Sequence, residues 1–113
     1  MAIIDLMDFE DEHDERAAIP GAVRIAPSRL RSRSHVVVPE RLEIILYCSS
    51  SGQFTSARVA VALQKKGISN VWVLDGGLAA WEREGLPVIR NIAIPKDAAE
   101  RIGIRVIENP VRP

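Results

Sequence analysis

Cys48 is the residue of this sequence best equipped for covalent chemistry. A thiolate is a potent nucleophile, and only the deprotonated sulfur attacks. Cys48 closes an apolar run, Ile44-Ile45-Leu46-Tyr47, and opens a polar one, Ser49-Ser50-Ser51-Gly52-Gln53-Phe54-Thr55-Ser56. The hydroxyls of Ser49, Ser50, Ser51, Thr55 and Ser56 are donors that can reach an anion. Main-chain N–H groups of a loop that curls around the sulfur, through Gly52, Gln53 and Phe54, would add an anion-binding nest. Arg58 lies just beyond, a cation that can steer a negatively charged reactant.

Magnitudes set what that loop must do. An ordinary thiol titrates at about 8.5 and is mostly protonated near neutrality. A helix amino terminus contributes roughly 0.3–1 kcal/mol to an anion, or about 2 in favourable geometry. At about 1.4 kcal/mol per pKa unit, the dipole lowers a thiol by about one unit at best. Hydrogen bonds from the loop must supply the remainder. Burial without donors acts the other way and leaves a thiol inert. In most proteins a lone cysteine is a small buried apolar residue, so its surroundings must supply the case for reactivity.

The elements around Cys48 set that case. Ile44 to Tyr47 is continuously apolar with β-branched residues, as in a central parallel strand covered on both faces. Cys48 then sits at the carboxyl end of a strand, where ligands gather in open α/β sheets. Thr55 or Ser56 is placed to cap a helix through Ala57, Val59, Ala60, Val61, Ala62 and Leu63, which Gly67 stops. Val59, Ala62 and Leu63 share its core face. Ala2 to Leu6 reads as a short buried strand, and Val23-Arg24-Ile25 as a brief one. Val71 to Leu74 is the next, followed by an Asp75-Gly76-Gly77 turn. A short helix over 78–84 turns Leu78, Trp81 and Ala79 inward and ends at Gly85, with Pro87 beyond it. Alternating strands and helices imply a parallel α/β sheet. In the tail, 96–102 reads as a short helix closed by Gly103, and 104–107 as a strand.

Composition narrows the function class. The 113 residues suit one domain. Fifteen basic and fifteen acidic side chains give a formal net charge of zero. There is no global attraction to nucleic acid or an anionic membrane. No apolar run reaches the roughly eighteen residues of a membrane span, and no signal peptide opens the sequence, so a cytoplasmic location is expected. One cysteine excludes an internal disulfide and any multi-cysteine metal site.

Other conspicuous residues have plainer readings. Six acids between Asp8 and Glu15 form a solvated stretch. Arg29, Arg31 and Arg33, near Ser32 and Ser34, read as an exposed loop over 26–42 rather than an anion site. Trp72 and Trp81 read as packing residues, and Asp5 as the maker of a structural bond at the end of the first strand. His13 and His35 have no partner pattern for a metal or a base.

Three patches in order resemble the rhodanese (sulfurtransferase) family. They are Ile19-Pro20-Gly21-Ala22 after Ile4-Asp5-Leu6; Ile45-Leu46-Tyr47-Cys48 with its Gly/Ser loop and Ser56-Ala57-Arg58-Val59-Ala60; and Asn70 to Trp81, closed by Gly85-Leu86-Pro87-Val88. The resemblance implies a single domain over 1–90, an α/β fold with a rhodanese-like parallel sheet flanked by helices, and a tail over 91–113. It implies that Cys48 accepts sulfane sulfur from thiosulfate or a persulfide and passes it to a thiol or protein acceptor. No metal and no organic cofactor take part in that chemistry.

The sequence departs from the family pattern in several places. The loop from Cys48 to Ser56 is about two residues longer than the usual sulfurtransferase loop and lacks its basic residue. Met7 and Ala18 stand where arginine and histidine are common. Longer loops occur in the phosphatases and arsenate reductases of this fold, but those place an arginine where this chain has Phe54. A catalytically weak binding or sensory module is the alternative reading. The first strand begins almost at Met1, which suggests a piece of a larger protein. Similar domains occur fused behind membrane proteins of the DedA type.

Overall fold

The computed structural model describes residues 1–6, 17–31, 35–48, 54–89 and 99–107. Four strands form a wholly parallel sheet: β1 (Ala2–Asp5), β2 (Val23–Arg24), β4 (Ile44–Tyr47) and β5 (Val71–Val73), in the order β2-β1-β4-β5. Strand β3 (His35–Val37) pairs antiparallel with β6 (Arg105–Ile107) in a second, two-stranded sheet, with Val36 opposite Val106. The helices are α1 (Pro27–Arg31), α2 (Phe54–Lys65) and α3 (Gly77–Arg83), with a 3₁₀ turn at Ala99–Ile102.

Alternation along the strands divides the core in two. Ala2, Ile4 and Leu6 of β1 and its exit face one side, with Ile44 and Leu46 of β4. They pack there against Val59, Ala60 and Leu63 of α2 and Leu30 of α1. Ile3 and Tyr47 face the other side and meet Ile19, Ala22, Leu78 and Trp81. The central position of β4 explains its unbroken apolar run, since a two-sided strand has no solvent face.

The tail completes the first side. Ala99 and Ile104 are buried in the same aliphatic cluster as Ile4 and Leu46. Strand β6 docks on β3 of its own chain. The part of the expected helix at 96–98 lies outside the described residues, and the remainder is the 3₁₀ turn.

Several expectations need correction. The stretch 26–42 is not simply an exposed loop. It contains α1, whose Leu30 is fully buried, and β3. A five-residue helix and a three-residue strand are too short to show periodicity. Trp72 is 60% exposed, because β5 is the edge strand and the Trp72 side chain alternates out of the first core. Trp81 is half-buried, and its indole N–H donates to the Pro87 carbonyl at 2.8 Å. Ala79 is exposed, and Gly77 and Leu78 are the buried positions of α3. Helix α2 starts at Phe54, so Thr55 and Ser56 lie inside its first turn and do not cap it.

Candidate active site at the carboxyl edge of the sheet

Cys48 follows β4 directly and is buried. Three hydrogen bonds anchor the main chain from Leu46 to Cys48. The Leu6 N–H donates to the Tyr47 carbonyl at 2.9 Å, the Leu74 N–H to the Leu46 carbonyl at 2.9 Å, and the Leu78 N–H to the Cys48 carbonyl at 3.3 Å. The last contact ties the start of α3 to the cysteine. It depends on the Asp75-Gly76-Gly77 turn, where Gly76 has φ 77 and Gly77 φ 61. A Cβ on Gly76 would collide with the Ala80 Cβ, so this position requires glycine on two counts.

The sulfur faces a polar group. Cys48 Sγ lies 2.8 Å from Ser56 Oγ. Either atom can donate as the thiol, and only the Ser56 hydroxyl can donate once the sulfur is a thiolate. Ser56 is 1% exposed, held in the first turn of α2, while Thr55 beside it is half-buried. Cys48 and Ser56 are thus brought together across eight positions of sequence. Phe54 is the first residue of α2, whereas Ser49, Ser50, Ser51, Gly52 and Gln53 lie outside the described residues. Arg58 is exposed. At about 100° per residue it stands on the far side of α2 from Ser56.

A second polar group lies behind the cysteine and was not singled out from sequence as a unit. Asp5 is in register with Arg24 on one side and Tyr47 on the other, so the three form one row across β2, β1 and β4. Asp5 and Tyr47 are fully buried, and Arg24 nearly so. The Tyr47 hydroxyl donates to Asp5 Oδ2 at 3.2 Å and accepts from the Ile19 N–H at 3.1 Å. Arg24 Nε lies 3.5 Å from the same carboxylate oxygen. Burial, and then the adjacent Asp5 carboxylate, push the Tyr47 phenol far above its ordinary range. Tyr47 therefore acts as a fixed neutral donor. The sequence signal was available: Asp5, Arg24 and Tyr47 each interrupt or end an apolar run. The reading of Asp5 as a structural residue agrees with this row.

Among the described residues no group of three or more histidine, cysteine or acidic side chains is arranged to hold a metal ion. Nor is any helix there long and apolar enough to cross a membrane.

The family follows from comparison with known proteins. The model of the rhodanese-like domain matches residues 1–84. The chain belongs to the rhodanese-like domain family. Its relatives differ in what they are called. A sulfurtransferase of Allochromatium vinosum is 29% identical over 92 residues, covering 74% of this chain and 84% of that protein. The dual specificity phosphatase Cdc25 of Arabidopsis thaliana is 30% identical over 105 residues, covering 84% of this chain and 70% of that protein. The crystal structure of the rhodanese-like domain of the Anabaena protein Alr3790 superposes with a TM-score of 0.58 at 28% identity, covering 78% of this chain and 79% of that one. The chain spans only 50% of the length of a further curated relative, from Synechocystis. Nothing in these named relatives points to fusion with a DedA-type membrane protein.

Proposed function

We propose that this rhodanese-like domain moves sulfane sulfur through a persulfide on Cys48. The observation that carries the reading is the Cys48–Ser56 contact of 2.8 Å at the carboxyl edge of a parallel sheet. The kinship with the Allochromatium sulfurtransferase supports it.

In the first half-reaction the Cys48 thiolate attacks the outer sulfur of thiosulfate. A Cys48 S–S bond forms, the S–S bond of the donor breaks, and sulfite leaves with the electron pair. A low-molecular-weight persulfide serves in the same way and releases its thiolate. In the second half-reaction an acceptor thiolate, small or on a protein, attacks the outer sulfur and releases Cys48 as thiolate. This is nucleophilic catalysis in two displacements, with no net oxidation. The Ser56 hydroxyl donates to sulfur in the charged states. Ser49, Ser50, Ser51, Gly52, Gln53, Phe54 and Thr55 complete the substrate-binding loop in this reading. Arg58, exposed two residues beyond Ser56, steers the anionic donor toward the loop. The sulfur-carrying unit is residues 1–90, while the tail 91–113 supplies packing. A reducing cytoplasm keeps Cys48 available between turnovers.

Intact-mass analysis after incubation with thiosulfate, and separately with a small persulfide, tests the proposal. One added sulfur atom is expected, removable by a thiol and absent in Cys48→Ser. An unmodified mass with every donor, in a chain that still melts cooperatively, would select the binding or sensory module instead. The Arabidopsis relative favours a phosphatase reading, and Phe54 in place of the oxyanion-clamping arginine opposes it.

A further inference from the structure

Along the outer side of α1 and α2 runs an open groove of about 410 Å³, lined by Arg31, Arg58, Val61, Ala62, Lys65 and Lys66. Four of these six residues are cations, and none is acidic. The formal charge of the whole chain is zero, so this concentration does not follow from a basic composition.

The arrangement is not what helix electrostatics alone would produce. Lys65 closes α2 and Lys66 follows it, where the dipole favours a cation. Arg58 stands near the amino end of the same helix, where the dipole opposes one. Arg31 comes from a different helix, α1. Packing of α1 against α2 therefore sets two guanidinium groups and two ammonium groups around one concavity. Arg31, Arg58 and Lys65 share one sign there, and a multivalent anion relieves their mutual repulsion.

From these observations we propose that the α1–α2 groove binds a small phosphate-bearing anion of the diphosphate class. The volume lies within the range of small-molecule sites, on the order of 300–1,000 Å³. Guanidinium forks match the paired oxygens of a phosphate group, and lysine supplies mobile point charges. Val61, 48% exposed, and Ala62 add apolar surface beside the cations for the remainder of a ligand. The site is separate from the sulfur chemistry. On α2, Ser56, Val59 and Leu63 occupy the buried face, while Arg58 and Lys65 occupy the opposite one.

Calorimetric titration of the full chain with inorganic pyrophosphate tests this. Saturable binding is expected, weaker for orthophosphate and weaker again as salt is raised. In the double variant Arg31→Gln/Arg58→Gln the affinity should fall at least about tenfold with the melting temperature preserved. A parallel NMR titration should shift amide signals of residues 29–31 and 58–66. Absence of saturable heat would overturn the proposal, as would equal affinity in the double variant. Shifts centred on Cys48 and Ser56 would also overturn it, since pyrophosphate would then be entering the nucleophile's site. Binding to phosphatidylserine vesicles with none to pyrophosphate would reassign the cations to a membrane surface and overturn it too.

Discussion

The two faces of the parallel sheet are held by different physics. On the α1–α2 side, Ile4, Leu46, Val59, Leu63 and Ile104 form an aliphatic layer, and the face of α2 that joins it also buries Ser56. On the α3 side, the buried row Arg24–Asp5–Tyr47 runs through the layer. The aliphatic side is non-directional and scales with the area removed from water. The polar row is directional. Asp5 is its hub, hydrogen-bonded by Tyr47 and ion-paired with Arg24, so removing Asp5 takes a partner from both. Cys48 lies where the row meets the strand ends, next to Tyr47. Its main chain continues the strand that carries the row, while its sulfur meets Ser56 of α2, so the nucleophile draws on both sides.

Asp5→Ala probes the contrast hardest. It leaves Arg24 buried without its counter-charge and removes the acceptor of the Tyr47 hydroxyl. A loss of roughly 3–5 kcal/mol is expected in urea unfolding. A loss below about 1 kcal/mol would show that the row is incidental to stability. On the aliphatic side Leu63→Ala should lower stability by roughly 2–5 kcal/mol, equally at neutral and alkaline pH. A pH-dependent loss there would break the distinction between the faces.

Tyr47→Phe is the gentler probe of the polar row, with an expected loss of about 1–3 kcal/mol at neutral pH. It also carries a pH signature. The folded phenol titrates above its unfolded value, so above roughly pH 10 the unfolded chain releases a proton that the folded chain retains. The stability that Tyr47 contributes is therefore complete below that pH and declines as pH rises toward the folded value. Chemical denaturation at increasing alkaline pH should show a downward slope that Tyr47→Phe makes shallower. An identical slope in the variant would place the cause elsewhere.

Much of the architecture was legible because its signals are local. The β4 run, the stop at Gly67 and the double-glycine turn before α3 each rest on residues adjacent in sequence. The placement of Cys48 at a strand end and of Ser56 early in a helix followed from the same signals. Their 2.8 Å contact did not, because the distance depends on how α2 packs against β4. Trp72 was misread since its exposure is a property of an edge strand, and strand order is not written in any local pattern. Helix α1 and strand β3 were missed because they are stabilised by burial of Leu30 and by pairing with β6, more than 60 residues away in the chain.

By itself, then, the sequence determined which segments are strands or helices wherever a run was long enough for burial to impose a period. It also determined the one residue able to form a covalent sulfur bond. Only the tertiary structure decided which distant side chains meet: Asp5 with Arg24 and Tyr47, Cys48 with Ser56, and Arg31 with Arg58 along one groove. The physical reason is range. Periodicity and turn chemistry act over a few bonds, whereas ion pairing, register and charge clustering depend on the closure of long loops and the order in which strands assemble.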